Sequence, residues 1–203
     1  MANKKQFAVL GLGRFGSNVA LTLEVMGCDV LGVDRNEEVV EDLAEDLSHV
    51  VSFDIKDEKA LMQAGISNCD TVVIASSNLE SSLMATMLCK ELNIAEIVVK
   101  AIDERHAEMA RRLGATQIIF PERDTGRRVA MHLVSNNAVD YIDIAGDIKV
   151  LSLIAPKNLI GKNLIQANLR GLYNVNVIAV THNKKISSRR RQRILLKKAT
   201  KFF

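Results

Sequence analysis

The chain has 203 residues, enough for one medium domain or a domain and a half, and an apolar fraction of 48% that can supply a core. No run approaches the roughly 18 apolar residues of a membrane-spanning helix, and the start lacks the apolar stretch of a secretory signal. The three cysteines are isolated and the four histidines lack metal-ligand spacing, so we expect a cytoplasmic protein with reduced thiols and no zinc site.

The net charge of +3 conceals a strong asymmetry along the chain. Residues 1–181 carry 18 basic and 24 acidic side chains, whereas residues 182–203 carry nine basic side chains and no acidic one. The arginine run at 189–193 has no interleaved aromatic residue, and such a run is usually a solvated tail. We therefore predict a disordered basic tail over 182–203 and no nucleic-acid partner.

The first 120 residues alternate short apolar runs with segments of helical periodicity, such as Glu37–Leu47 and Leu79–Leu92. Runs that are apolar along their whole length are typical of strands in a parallel sheet covered on both faces. The pattern predicts a doubly wound, Rossmann-like α/β sheet. Its six predicted strands are Phe7–Leu10, Val30–Val33, Val50–Phe53, Thr71–Ala75, Ile97–Lys100 and Gln117–Phe120.

Pro121 opens a further helical segment, and the texture changes after Gly146. The later stretch has the pattern of a strand, a short helix and a second strand, which is too short for a second catalytic domain. We predict a nucleotide-binding domain over 1–135, which includes the start of a crossover helix, and a small α+β module over 136–181.

A glycine motif follows the first predicted strand directly. Gly11, Gly13 and Gly16 form GxGxxG before a helical segment. In such motifs the glycines allow a tight turn, the approach of a phosphate to backbone amides and close packing of helix on strand, while the helix N-terminus faces the anion. Asp34 ends the second strand, where a carboxylate accepts hydrogen bonds from ribose hydroxyls. Asp34 disfavours a 2′-phosphate, although the neighbouring Arg35 weakens that preference.

Other polar residues follow the strands at the same edge of the sheet. Asp54 ends the third strand, where such folds contact adenine, or else it is a turn residue. Ser76, Ser77 and Asn78 follow the fourth strand, where they contact the ligand or cap the next helix. Arg14 lies inside the glycine turn and either reaches a terminal phosphate, including one held by a neighbouring subunit, or is solvated.

The sequence shows no catalytic constellation beside the nucleotide motif. Neither tyrosine is followed four residues later by lysine, no GxxxxGK[ST] motif occurs, and no Ser/His/Asp set is recognisable. His106, on an amphipathic segment, is interpreted as structural or solvated. The nucleotide is therefore predicted to be a ligand rather than a reagent, and an NAD(H)-dependent oxidoreductase is the alternative function.

Four stretches of the chain resemble one family: "FAVLGLGRFGSNVA", "VDRNEEVVEDLAEDLSHVVSFDIKDEKAL", "DTVVIASSNLESSLMATMLCKELNI" and "VKAIDERHAEMARRLGATQIIFPERDTGRRVAMHLVSNNAVDYIDI". They resemble the domain that regulates potassium conductance, the RCK or KTN domain, found in cytosolic subunits of Ktr- and Trk-type potassium uptake systems. The resemblance covers roughly residues 5–180. It implies dimers that assemble into an octameric ring, which docks on a membrane subunit that translocates potassium.

The resemblance also implies ligands for particular positions. ATP and ADP, or NAD(H) as in relatives, would bind in the cleft and shift the ring between active and inactive shapes, with Arg14 reaching the γ-phosphate across the dimer. Glu122 would hold a divalent or monovalent cation near the phosphates of paired subunits, although acids also favour the first turn of a helix without a metal. The predicted nucleotide contacts are Gly11, Gly13, Arg14, Phe15, Gly16, Asp34, Arg35, Asn36, Asp54, Ser76, Ser77, Asn78, Lys100 and Arg105, and the predicted metal ligand is Glu122.

The C-terminal stretch departs from the family pattern. Cyclic di-AMP binds the corresponding module in some relatives, and Ile165, Arg170 and Asn176 occupy the matching positions. The family continues with further strands where this chain has its basic end, which resembles a truncated or frame-shifted terminus. We therefore expect an incomplete module, which disfavours cyclic di-AMP.

Overall fold

A computed structural model describes residues 5–134, 138–145, 148–182, 185–188 and 201–202. The chain divides into two compact units, Met1–Pro121 and Glu122–Phe203. This division falls earlier than the predicted boundary at residue 135. The helix predicted as the start of the crossover is therefore grouped, from Glu122 onward, with the second unit.

The first unit alternates strands and helices along its length. Its strands are β1 (Gln6–Leu10), β2 (Asp29–Asp34), β3 (His49–Ser52), β4 (Thr71–Ile74), β5 (Glu96–Lys100) and β6 (Gln117–Ile119). Its helices are α1 (Arg14–Val25), α2 (Glu37–Leu43), α3 (Glu58–Gln63), α4 (Leu79–Glu91) and α5 (Glu104–Leu113), with a 3-10 turn at Ile66–Asn68. All six predicted strands are confirmed, whereas α2 ends at Leu43 rather than at Leu47.

The six strands form one parallel sheet in the order β3-β2-β1-β4-β5-β6. The predicted doubly wound fold is thereby confirmed. Successive strands are added to one side of β1 as far as β3, and the chain then returns to add β4, β5 and β6 on the other side of β1. The order therefore switches between β1 and β4, which are neighbours in the sheet but not in the sequence. Ligands of such sheets bind at this switch point, beyond the carboxyl ends of the strands.

The burial of β1 explains why its sequence is apolar at consecutive positions. Ala8, Val9 and Leu10 have no solvent exposure. Ala8 and Leu10 belong to one core cluster, whereas Val9 belongs to another with Ala20 and Val30. Because successive side chains of a strand point to opposite faces, this division places a core on each face of the sheet.

The second unit contains short helices and an antiparallel sheet. Its helices are α6 (Pro121–Val134, which starts on the last residue of the first unit), α7 (Leu164–Ala167) and α8 (Leu169–Tyr173), with a 3-10 turn at Lys157–Leu159. Its strands are β7 (Ala138–Ala145), β8 (Ile148–Ile154), β9 (Ala179–His182), β10 (Lys185–Ser188) and β11 (Lys201–Phe202), in the sheet order β10-β9-β11-β8-β7. A small core contains Ala155, Leu159, Ala167 and Val180.

The basic tail differs from the disordered segment predicted for 182–203. Lys185–Ser188 pairs with β9, and Lys201–Phe202 lies between β8 and β9. Sheet pairing uses backbone N–H and C=O groups that basic residues also carry, so the charge composition was a poor guide for these positions. The rest of the predicted tail, residues 183–184, 189–200 and 203, lies outside the described residues.

Candidate functional site

Two glycines of the GxGxxG motif are required by the packing of the fold. Gly11 has a φ of +96°, in the left-handed region, and a Cβ atom there would lie 3.0 Å from the backbone nitrogen of Ser76. A Cβ atom on Gly16 would lie 1.9 Å from the carbonyl oxygen of Gly11. No side chain fits at Gly16, and at Gly11 any other residue would be strained by the left-handed φ and crowded by the backbone of Ser76. These two glycines explain how β1, β4 and α1 approach one another.

Gly13 differs from the other two glycines, because packing does not explain it. Its φ of −65° and ψ of −174° suit any residue, and a Cβ atom there would meet no atom within 4 Å beyond its chain neighbours. Gly13 lines a cleft and is the N-cap residue of α1. The missing side chain leaves the N-terminus of α1 open, as the approach of an anion requires.

The N-terminus of α1 offers unpaired N–H groups and a positive dipole end to a negatively charged group. Within this helix no side chain caps the first turn and the first turn contains no acidic residue. The first N–H groups of a helix lack intrahelical acceptors and carry the positive end of the helix dipole. A phosphate group can satisfy both requirements at the open turn.

Asp34 connects the glycine turn to the end of β2. Its half-buried carboxylate accepts hydrogen bonds from the backbone N–H groups of Leu12, at 2.7 Å, and Asn36, at 3.0 Å. These two bonds fix the carboxylate in position. Each carboxylate oxygen has two lone pairs, so acceptor capacity remains for the hydroxyl groups of a ligand.

Eight of the fourteen predicted nucleotide contacts meet in a cleft of about 260 Å³. The cleft lies where the strand order predicts it, at the carboxyl ends of β1–β4. The predicted residues that line it are Gly11, Gly13, Asp34, Arg35, Asp54, Ser76, Ser77 and Asn78. The sequence analysis missed four more lining residues, Phe53, Ile55, Ala75 and Ser81.

The missed apolar residues give the cleft a wall suited to a flat aromatic ring. Phe53 and Ile55 flank Asp54 after β3, and Ala75 follows β4. Apolar residues at strand ends have the same sequence pattern as core residues. The one available signal was their position beside Asp54, which the sequence analysis had placed near an adenine.

Several predicted contacts also serve as helix caps or turn residues. Asn78 caps α4 by accepting a hydrogen bond from the backbone N–H of Ser81 at 2.9 Å, and Ser76 Oγ accepts one from the N–H of Asn78 at 3.2 Å. Asn36 caps α2 by accepting from the N–H of Glu38, and it does not line the cleft. The capping interpretation therefore holds for Asn78 alongside its place in the cleft wall.

The remaining predicted contacts do not line the cleft. Lys100 is 9% exposed, and its Nζ donates to Ser77 Oγ at 3.4 Å, which links it to the lining. Arg14 is exposed at the first position of α1, while Phe15 is half-buried and packs against the core cluster of Val9. Arg105 is exposed on α5.

The positions predicted for a cation and for cyclic di-AMP belong to the second unit. Glu122 lies in the first turn of α6. Among the residues that the structure describes, no three His, Cys, Asp or Glu side chains are grouped so as to hold a metal ion. Ile165, Arg170 and Asn176 are all exposed, on α7, on α8 and after α8 respectively.

Outside the cleft, His106 is buried between α4 and α5. Its side chain is 1% exposed, its Nδ1 accepts a hydrogen bond from the backbone N–H of Ile102, and its Nε2 lies 3.1 Å from Ser82 Oγ. Burial lowers the pKa of His106, and the nearby Asp103 only partly opposes this. This arrangement agrees with a structural role.

Burial also raises the pKa of two cysteines. The pKa of the Cys89 thiol rises to about 12, mainly through burial and secondarily through Cys69. The pKa of Cys69 is raised by burial and by the charge of Asp70. Because thiolates are the reactive form, both thiols should react more slowly than an ordinary cysteine.

None of the helices in the described ranges combines the length and hydropathy that crossing a bilayer requires.

The fold and the cleft define the class of the protein: a doubly wound α/β domain with a glycine turn, a carboxylate at the end of β2 and an apolar wall at its switch point. The model of the TrkA-N domain family matches residues 7–121. The chain belongs to the TrkA-N domain family.

Two curated relatives extend the similarity over most of the chain. Ktr system potassium uptake protein C of Bacillus subtilis is 35% identical over 184 residues, which cover 90% of this chain and 83% of the relative. Ktr system potassium uptake protein A of the same organism is 38% identical over 180 residues, which cover 88% and 81%. The resemblance stated from the sequence is thereby confirmed.

Solved structures share the fold. The GsuK RCK domain has a TM-score of 0.57 and 19% identity, covering 98% of this chain and 43% of that chain. The GsuK channel bound to NAD has a TM-score of 0.58 and 18% sequence identity, and the match covers 98% of this chain and 36% of that chain. GsuK bound to ADP has a TM-score of 0.55 and 22% sequence identity, and the match covers 65% of this chain and 34% of that chain. This chain thus spans less than half the length of these structures, and the likeness extends to the fold.

Proposed function

We propose that this protein is a nucleotide-sensing regulatory subunit of a potassium uptake system. The ligand is an adenine nucleotide, with ATP and ADP as the leading pair and NAD(H) as the second. The observation that carries the proposal is the cleft itself. Gly13 leaves a helix N-terminus open where packing does not require a glycine, and Asp34 stands fixed beside it.

The parts of the cleft match the parts of an adenine nucleotide. The glycine turn and the start of α1 suit phosphates, the carboxylate of Asp34 suits ribose hydroxyls, and Phe53 and Ile55 suit the faces of a base. Asp54 adds an acceptor for the amino group of adenine. The named states of GsuK, bound to NAD and bound to ADP, support the choice of nucleotide class.

The regulatory role comes from the relatives rather than from the cleft. Both curated relatives are named for potassium uptake by the Ktr system, and this chain covers more than four fifths of each. The nucleotide would then act as a ligand and not as a hydride carrier. The partner is a potassium-translocating membrane subunit, and this chain acts at the cytoplasmic face of the membrane through it.

The proposed signal is a difference in affinity between two shapes of one assembly. A ligand shifts such an equilibrium only through its differential affinity for the two states. Dimers in an octameric ring would place Arg14 against the γ-phosphate of a neighbouring subunit. Glu122 would hold a cation between paired subunits, because a carboxylate beside a triphosphate is repulsive without one.

Calorimetric titration of the full chain with ATP, ADP and NADH tests the proposal. Asp34→Ala removes charged acceptors of ribose hydrogen bonds, each contributing about 1.5–3 kcal/mol, so we expect at least about tenfold weaker binding of any ligand that binds. Unchanged affinity in this variant contradicts the site assignment. Oxidation of bound NADH with a cellular acceptor would instead favour the oxidoreductase alternative.

A further inference from the structure

The two walls of the cleft are distant in the sequence but connected in the structure. Asp54 and Ile55, in the loop between β3 and α3, line one wall. Asn78 and Ser81, at the N-terminus of α4, line the other. The first wall contains Ile55, which is part of the apolar surface assigned to the base.

One ion pair joins the two walls. Lys56 follows Ile55 directly, and its Nζ lies 3.2 Å from Glu80 Oε1 in the first turn of α4, 24 residues further along the chain. The same Nζ lies 4.0 Å from Asp54 Oδ2. The backbone N–H of Lys56 also donates to Asp54 Oδ1 at 3.0 Å. The lysine is thus held by its own loop while its ammonium group reaches the opposite wall.

The exposure of the pair suits a contact that opens and closes. The side chain of Lys56 is 35% exposed and that of Glu80 is 73% exposed. Exposed ion pairs are weak and are screened by salt. A contact of this strength restrains two loops without locking them, because thermal motion breaks it repeatedly.

We propose that Lys56 and Glu80 form a clasp across the base end of the nucleotide cleft, through which the base enters and leaves. The inference rests on the proposed function, since the clasp acts on the nucleotide. Lys56 and Glu80 are positioning residues, because they bind each other rather than the ligand. The clasp sets how fast the occupancy of the cleft follows the nucleotide concentration.

A clasp differs from a ligand contact in what its removal changes. Opening the clasp eases both entry and release, so the association and dissociation rate constants rise together and the dissociation constant stays the same. Loss of a ligand contact mainly raises the dissociation rate constant and weakens binding. For an exposed pair the rates should rise by about two- to fivefold.

The test is surface plasmon resonance with the full chain immobilised and unlabelled ADP as the probe. Lys56→Gln and Glu80→Gln should each raise both rate constants about two- to fivefold, with a dissociation constant within twofold of the unchanged chain. The double variant should be no faster than either single variant, because each substitution removes the same pair. Higher salt should raise both rate constants of the unchanged chain towards those of the variants, and it should leave the rate constants of the variants nearly unchanged.

Lys59→Gln and Glu91→Gln are matched controls, because they remove the same charges from exposed positions on α3 and at the end of α4. Both controls should retain the rates of the unchanged chain. Normal ADP binding with unchanged rates in Lys56→Gln and Glu80→Gln overturns the clasp alone, as do additive effects or a changed dissociation constant. Failure of the unchanged chain to bind ADP, ATP or NADH overturns the proposed function and the clasp with it.

Discussion

Replacement of Gly13 by alanine should weaken nucleotide binding while the chain still folds. The backbone angles at Gly13 suit alanine, and the added methyl group would meet no atom within 4 Å beyond its chain neighbours. Alanine is a poorer N-cap residue than glycine, at a cost of less than about 1 kcal/mol. We therefore expect Gly13→Ala to fold, with a small loss of stability.

The same substitution should weaken nucleotide binding strongly. The methyl group would stand in the open space before α1, where the proposal places a phosphate. Displacing the phosphate breaks at least one hydrogen bond from a helix N–H to a charged oxygen, and such a bond contributes about 1.5–3 kcal/mol. The dissociation constant for ADP should therefore rise by about ten- to a hundredfold.

Calorimetry with ADP, combined with a thermal melt of each variant, measures the two effects separately. Gly16→Ala serves as the contrast, because its Cβ atom would collide with the Gly11 carbonyl oxygen at 1.9 Å and should prevent correct folding. A folded Gly13→Ala chain that binds ADP as tightly as the unchanged chain would contradict the placement of a phosphate beside Gly13. It would show that no phosphate approaches the start of α1.

Three further predictions concern other residues. Arg14→Ala should leave the oligomer intact in gel filtration but lower the preference for ATP over ADP by about tenfold in calorimetry; an unchanged preference would make Arg14 a solvated residue. Since burial lowers the pKa of His106, its protonation favours the unfolded chain, and this contribution to stability is lost as the pH falls below about 6.5. Between pH 8 and pH 5.5, the free energy of unfolding in urea should fall less in His106→Gln than in the unchanged chain, by up to about 1.4 kcal/mol per pH unit. An equal fall in both chains would contradict the burial of a neutral imidazole. At pH 8, iodoacetamide should label Cys89 only in urea, because burial raises the pKa of its thiol to about 12. The half-buried Cys28 should be labelled in buffer without urea. Mass spectrometry that finds Cys89 modified in the native chain would contradict this prediction.

The fold of the first unit was predictable because its central strands, such as β1 and β4, are buried on both faces. Three consecutive residues without exposure in β1 produce an unbroken apolar run that is hard to mistake. The end of α2 was less predictable. Leu47 continues the apolar periodicity and is buried, yet it lies after the helix has ended at Leu43. Periodicity reports burial, and burial does not require a helical backbone.

The cleft was predictable where a residue type has a special backbone or charge role. Gly11, Gly13 and Asp34 were found because phosphates and ribose require these residue types at that spacing. Phe53 was missed because an apolar residue at a strand end does not differ from a core residue in sequence. The pair of Lys56 and Glu80 was also missed, because only the folded chain brings residues 24 positions apart to within 3.2 Å.

We propose that nucleotide in this cleft controls potassium movement through a membrane partner. Potassium flux into proteoliposomes that contain the partner subunit and the full chain measures this control. We expect different fluxes with ATP and with ADP, and we expect Asp34→Ala to abolish this difference while the two proteins still associate. Equal flux with ATP, with ADP and without nucleotide would show that nucleotide does not control the partner.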